Sequence, residues 1–350
     1  MQFLTNSYFL DVVKTIIIFA GVMTMVPVLI WLERKVVADV QIRIGPNRLG
    51  PFGAMQPLAD ALKLMFKEDI TPAGADKFIY YLAPLLAILP ALLAAAVIPF
   101  GPAKWTQIID LNHSVLYSLA LSSLSVYAIA LAGWASNSKY SLMGALRSAA
   151  QMISYELGMG LSIIALLMVT GTMNLGEIVV QQHTGGWNIV RAPFMFVAFL
   201  TFMVCGIAET NRAPFDLAEA ESELVAGFHT EYSSFKFAIF FMAEYVNMVI
   251  FSALAAAMFF GGWSGPGVNY DPATGAVAGG LPFILLGIIY FVIKIFAFLF
   301  FYFWLRASLP RFRYDQLMNF GWKFLVPLGL VNIFVSAMIY ALRHGWFSQV

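Results

Sequence analysis

Eight runs of apolar residues, each long enough to cross a bilayer, constrain this chain more than any other feature: 15–32, 78–100, 115–134, 148–170, 192–208, 237–260, 281–305 and 324–342. A hydrocarbon core of roughly 30 Å takes about 20 helical residues at about 1.5 Å each. Lipid offers no partner to a stray backbone N–H or C=O, so only helices or closed barrels span it. The runs lack the two-residue alternation of a barrel strand. The expected fold is therefore all-α: a polytopic membrane protein, a bundle of eight transmembrane helices in one integral membrane domain over residues 1–350. Composition agrees, since 61% hydrophobic and 11% charged residues leave too little polar surface for a water-soluble domain. The first run keeps Pro27 and leads into a long basic loop with no small-residue cleavage site, which reads as a retained helix rather than a signal peptide.

Lys and Arg set the expected orientation. The connections after runs one, three, five and seven hold 15 of the 20 cations and the other side holds four, Lys14, Lys104, Arg191 and Arg343. Positive charge stays in the cytoplasm, so both termini are expected outside. The twentieth cation, Lys294, lies inside run seven.

Several chemistries find no support. The single thiol, Cys205, can make no internal disulfide, and His113, His183, His229 and His344 stand in no zinc-like spacing. No phosphate-binding glycine loop is present, and the glycines at 275–280 read as turn residues. No metal or nucleotide cofactor is expected on this chain, and no nucleic-acid partner.

The first basic connection carries a Gly-Pro-Asn turn at 45–47 and then, over Phe52–Phe66, apolar positions Met55, Leu58, Ala59, Leu62, Met65 and Phe66 at three- and four-residue steps. With Asp60, Lys63 and Lys67 elsewhere, this predicts an amphipathic helix in the membrane interface. The preceding Glu33-Arg34-Lys35 reads either as part of a site or as an interfacial stop signal.

The third basic connection is acidic. Glu209, Asp216, Glu219, Glu221, Glu223 and Glu231 face the lone cation Arg212, gathering six of 19 acids in 23 residues. Crowded carboxylates raise one another's pKa and can hold protons near neutral pH. If Pro214 opens a helix, Asp216, Glu219 and Glu223 stack on one face; the competing reading is a solvated acidic surface.

Glu156 lies nine residues past Arg147 and Glu244 eight past Lys236, matching depths near mid-membrane. A bare carboxylate there costs several kcal/mol, so each is either a proton relay or a permanently protonated structural group. Lys294 is a counter-cation of an intramembrane acid, a relay member, or a side chain that snorkels to the surface.

Glu33-Arg34-Lys35, QIRIGPNRLG at 41–50, QPLADALKL at 56–64, SYEL at 154–157, ETNRAPFDLAEAESEL at 209–224 and LPRFRYDQLM at 309–318 together resemble the H subunit family of NADH:quinone oxidoreductase, respiratory complex I, equivalent to the mitochondrial subunit 1 family. The resemblance covers the whole chain. It implies a subunit with no catalysis of its own in a proton-translocating complex of the bacterial inner membrane, with FMN and iron-sulfur clusters in partner subunits. It implies a quinone tunnel walled by the first and sixth spans, the amphipathic helix and the first loop, carried here by Glu33, Arg34, Arg43, Asp60 and Lys63. The family's acid chain falls on Glu156, Glu209, Asp216, Glu219, Glu221, Glu223, Glu231 and Glu244, and Arg311, Arg313 and Asp315 on a loop that docks the quinone-site peripheral-arm subunits or touches lipid headgroups. Other membrane-arm subunits and membrane lipids complete the implied partners. Two alternatives remain: the homologous membrane subunit of an ion-pumping hydrogenase or ferredoxin-linked complex, or a free-standing cation transporter, whose duplicated halves the sequence does not show.

Overall fold

A computed structural model describes residues 7–191, 193–216, 225–268, 270–271, 276–277 and 280–343. The described residues form the helices α1 (Ser7–Val40), α2 (Gln56–Phe66), α3 (Lys77–Ala94), α4 (Ser114–Ala135), α5 (Lys139–Thr170), α6 (Leu175–Gly185), α7 (Asn188–Arg191), α8 (Pro193–Glu209), α9 (Ser234–Phe259), α10 (Leu281–Ser308), α11 (Tyr314–Phe320) and α12 (Val326–Arg343). A five-residue π turn, Gly321–Leu325, joins α11 to α12.

Seven of these stretches are long and apolar enough to cross a membrane. The fifth run forms α8, a shorter apolar helix of 17 residues, so the described residues hold seven candidate spans and this shorter helix where eight spans are expected. Among the described residues the all-α expectation holds except for one antiparallel ladder of two-residue strands, β1 (Tyr270–Asp271) and β2 (Ala276–Val277).

Neighbouring helices pack in a chain: α3 on α4, α4 on α5, α5 on α8 and α12, and α9 against α3 and α10, with α1 laid on α10. Where helices meet in lipid the interface favours small residues, because close backbone approach replaces the hydrophobic drive of water. Ala253, Ala255, Ala256 and Ala257 accordingly lie at 0% exposure on α9, the most enclosed helix. Gly144 of α5 shows the same economy, since a Cβ there would sit 2.7 Å from the Cα of Gly227.

Two short elements depart from the sequence reading. The amphipathic helix begins at Gln56, not Phe52. Phe52 and Gly53 take left-handed φ of 54° and 75°, and a Cβ on Gly53 would lie 2.2 Å from the carbonyl oxygen of Pro46, so this turn closes only with glycine. The connection after α5 lies outside every apolar run yet contains α6, whose Asn174 cap accepts from the backbone N–H groups of Gly176 (2.8 Å) and Glu177 (3.3 Å).

Candidate functional site

At the end of the bundle where most cations lie, α1 carries two adjacent groups with different fates. Arg34 points outward and pairs with Asp60 of α2 at 2.6 Å, while the Trp31 indole N–H donates to the Phe52 carbonyl at 3.1 Å. These contacts clip α2 to α1. Lys63 is exposed and makes no ion pair among the described residues, and Arg43 is exposed with its Nε donating to Gln41 at 2.8 Å. Of the five tunnel candidates, the structure thus joins Arg34 to Asp60 and leaves Lys63 and Arg43 apart.

Glu33 turns the other way and is buried at 5% exposure. It accepts from the Tyr245 hydroxyl at 2.7 Å, from Arg212 Nη1 at 3.2 Å and from Arg306 Nη1. Arg212 in turn places Nε 2.5 Å from Glu244 and its guanidinium 4.3 Å over the Tyr245 ring. Two carboxylates and two guanidiniums from α1, α9, α10 and the loop after α8 therefore form one network, buried at Glu33 and Arg212 and exposed at Arg306. Burial alone would push the Arg212 pKa down, but Glu244, Tyr245 and Glu33 outweigh it and hold the group well above its usual value, so it stays charged.

Beyond Glu244 lies a small cavity of about 60 Å³, lined by Glu209, Asn211, His229, Glu244, Asn247 and Ser125 among others. Its wall is mostly apolar, with Phe228, Phe237, Phe240 and Phe241 around these polar groups, and its volume is that of a few water molecules. Both Glu209 carboxylate oxygens are buried without a hydrogen-bond partner among the described residues. Glu156 acts electrostatically on Glu209 and itself accepts from the Ser123 hydroxyl of α4. The loop backbone is fixed by Gln151, whose Nε2 donates to the carbonyls of Ala208 (2.8 Å) and Phe215 (2.7 Å).

His229 is held neutral. Burial lowers its pKa from 6.5 to about 4, the Asp216 charge offsetting part of that. Because the unfolded chain takes up this proton from pH 6.5 downward and the native state does not until about 4, stability is lost progressively across that interval. Thermal unfolding of His229→Phe in detergent should show a shallower loss of melting temperature between pH 6.5 and 4 than the parent; parallel curves would remove His229 as the cause.

The segment 309–315 lies against the acid loop. Arg311 pairs with Asp216 at 2.8 Å, Phe312 N–H donates to the Pro214 carbonyl at 3.2 Å, and the Phe215 and Phe312 rings stack at 5.6 Å. Arg313 and Asp315 are exposed. Pro214 sits in a turn, and residues 217–224, over which the expected helix would run, lie outside the described residues. Glu219, Glu221 and Glu223 lie outside the described residues, as does His344. Glu231 is half-buried, its backbone carbonyl taking the Tyr80 hydroxyl at 2.6 Å.

Among the described residues Lys294 makes no ion pair with an acid. Its ammonium donates to the carbonyls of Phe260 (2.8 Å), Gly262 (2.7 Å) and Ser264 (2.7 Å), closing the turn that follows α9. A groove of about 930 Å³ between α8, α10 and α11 has Lys294 and many Phe residues on its walls but none of the tunnel candidates. A smaller apolar hollow of about 160 Å³ lies among α1, α9 and α10, lined by Ile18, Val22, Met25, Val249 and Ile295.

Sequence reasoning passes over Arg212, Arg306, Tyr245 and His229 as site residues. The available signal is Arg212 itself, a lone cation amid six carboxylates. As a class this is a polytopic membrane protein that carries ionisable groups into its bundle from one end.

The family model described as NADH dehydrogenase matches residues 13–337. The chain is 49% identical over 352 aligned residues to the second of the H subunits of NADH-quinone oxidoreductase in Koribacter versatilis, covering 95% of this chain and 97% of that one. It is 50% identical over 337 residues to the first of the H subunits of the same enzyme in Geobacter metallireducens, covering 94% and 96%. The chain belongs to this family, the bacterial H subunits of NADH-quinone oxidoreductase, as its motifs indicate. It is a membrane subunit of a multisubunit translocase that is not a catalyst by itself. Among the described residues no group of three His, Cys, Asp or Glu is placed to hold a metal ion.

Proposed function

We propose that this subunit forms the route by which quinone reaches its reduction site in a neighbouring subunit, and that its buried acids pass the resulting charge change into the membrane as proton movement. The observation that carries this reading is Arg212, bound on one side to Glu33 and on the other to Glu244. Glu33 then belongs to the tunnel with Arg34, Arg43, Asp60 and Lys63. Glu244, Glu209 and Glu156 form the relay, with Asp216, Glu219, Glu221, Glu223 and Glu231 at its mouth.

A long isoprenoid chain needs apolar walls and its headgroup a few placed polar contacts. The hollow among α1, α9 and α10 supplies apolar walls, and Glu33 lies eight residues beyond Met25 on α1, about 12 Å further along the helix. The exposed apolar side chains of α2, such as Leu62 and Phe66, suit a helix lying in the interface. On this reading α8 is an eighth, short span in the inner membrane. The basic end faces the cytoplasm and meets the peripheral arm through Arg311, Arg313 and Asp315, and both termini are periplasmic.

A photoreactive quinone analogue with an isoprenoid tail, applied to the assembled complex, should label peptides of α1, α2 or α9 and be displaced by excess quinone. Displaceable labelling that omits all three would overturn the tunnel.

A further inference from the structure

Lys236 is a buried cation that neither the tunnel nor the relay uses. It stands in the first turn of α9, where the helix dipole disfavours positive charge, and its side chain is only 8% accessible. Four groups outside α9 hold it there: the Asp69 carboxylate at 2.9 Å, the Thr71 hydroxyl at 3.0 Å, and the rings of Tyr80 and Tyr81 at 4.6 and 4.4 Å. The two serines just before it reach the same segment. The Ser234 hydroxyl donates between the carbonyls of Leu64 (3.0 Å) and Lys67 (2.8 Å), at the end of α2 where helix carbonyls lack internal donors. Ser233 Oγ accepts from the Ile70 N–H at 2.9 Å. Ser234 itself takes a left-handed φ of 55°, a costly state for a residue with a side chain, which persists only where the surroundings over-determine it. Elsewhere α2 has little to hold it: Arg34 and Trp31 clip its start to α1, and Pro57 alone of its 11 residues is buried.

The geometry points to Lys236 and Ser234 as a latch that fixes the end of α2 against α9 and so sets the position of the wall that carries Asp60 and Lys63. They are positioning residues for quinone passage, and this role rests on the reading of α2 as part of the quinone route. Lys63 adjoins Leu64 and Asp60 lies one turn before it, so a shift at the latch carries both. The α9 side is the fixed one: Tyr80 donates to the Glu231 carbonyl at 2.6 Å and stacks on Tyr232 at 4.2 Å, so loss of Lys236 frees α2 and not α9. A wall that wanders offers the competent route only part of the time, and the apparent affinity for quinone falls by that fraction. The rate at saturating quinone is kept, because bound quinone selects the latched position and reduction takes place in a neighbouring subunit.

In the assembled membrane-bound complex, Lys236→Met should raise the KM for a short-tailed benzoquinone about tenfold, as when the latched position falls to about a tenth of the population. kcat and NADH oxidation by an artificial acceptor should stay as in the parent. Hydrogen exchange over residues 62–71, read by mass spectrometry on the same preparation, should speed up, with exchange across α3 unchanged. Asp69→Asn breaks the ion pair from its more exposed partner, 46% accessible, and should raise KM about threefold, since Thr71 and the two rings still hold the ammonium. The double variant should not exceed Lys236→Met alone, because both changes remove one contact. If Lys236→Met does not assemble, Asp69→Asn and Ser234→Ala decide, each by a raised KM at parental kcat. Unchanged exchange overturns the latch, and faster exchange with an unchanged KM overturns its positioning role. The photolabelling of the parent tests the tunnel separately: labelled α1, α2 or α9 beside an unchanged KM in Lys236→Met keeps the tunnel and removes the latch. Labelling that omits all three removes the tunnel and the positioning role with it, whatever the exchange shows.

Discussion

Glu156→Gln should leave the complex assembled, with NADH oxidation by an artificial acceptor intact, and cut proton translocation in reconstituted vesicles by about tenfold or more. A positioned proton-transfer group contributes on the order of 10² to 10⁴, and the buried carboxyl of Glu209 nearby offsets part of the loss. The amide keeps the shape of the side chain and retains a hydrogen bond with Ser123, so the variant removes titration and little else. Glu156→Asp should keep partial function. Ser123→Ala, which deletes one neutral donor worth about 1 kcal/mol, should have a far smaller effect. Pumping at the parental rate and stoichiometry in Glu156→Gln would make that carboxyl structural.

Asp60→Leu should impair quinone reduction severely and leave NADH oxidation by an artificial acceptor unchanged. Its pair with Arg34 is partly exposed, the two side chains 35% and 44% accessible. Such pairs contribute only about 0–1 kcal/mol to stability, so a large loss would reflect the quinone route and not unfolding. The freed guanidinium would sit beside a new apolar surface where a charged constriction had been. Lys63→Leu should cost less, because Lys63 makes no ion pair among the described residues whose breaking would free a charge. Equal loss of both activities in Asp60→Leu would indicate failed assembly and sink this account.

Helices are legible because lipid imposes one rule on every residue of a span, and α3, α4, α5, α9 and α10 lie where their hydropathy puts them. The amphipathic helix is legible in type but not in its start. Apolar spacing continues through Phe52 and Met55 although the backbone there turns left-handed at Phe52 and Gly53. The fifth run, 192–208, forms a helix of the same length, Pro193–Glu209.

The site is half legible. Acids deep in apolar runs stand out because their burial is costly, which is what singles out Glu156 and Glu244. Arg212 stands out only as a lone cation among carboxylates, and it reads as solvated until the backbone is seen to turn it inward. Lys294 is open to three readings in the sequence, which shows nothing of the three carbonyls that meet its ammonium. Arg306 looks like one more positive-inside charge at the end of a span, yet it reaches across to α1. Spacing along one helix cannot reveal a contact between residues 273 positions apart.

The π turn at Gly321–Leu325 bears on how this chain can change length. A wide turn holds one residue more than an α-helical one. Losing a single residue there would close it into ordinary helix and leave α11 and α12 facing their present neighbours, Tyr155 still donating to the Leu317 carbonyl. The same deletion elsewhere in α12 would swing everything after it by about 100°. Insertions and deletions in this last hairpin partner of α5 are therefore expected to collect at one place, with the rest of the helix fixed in residue count.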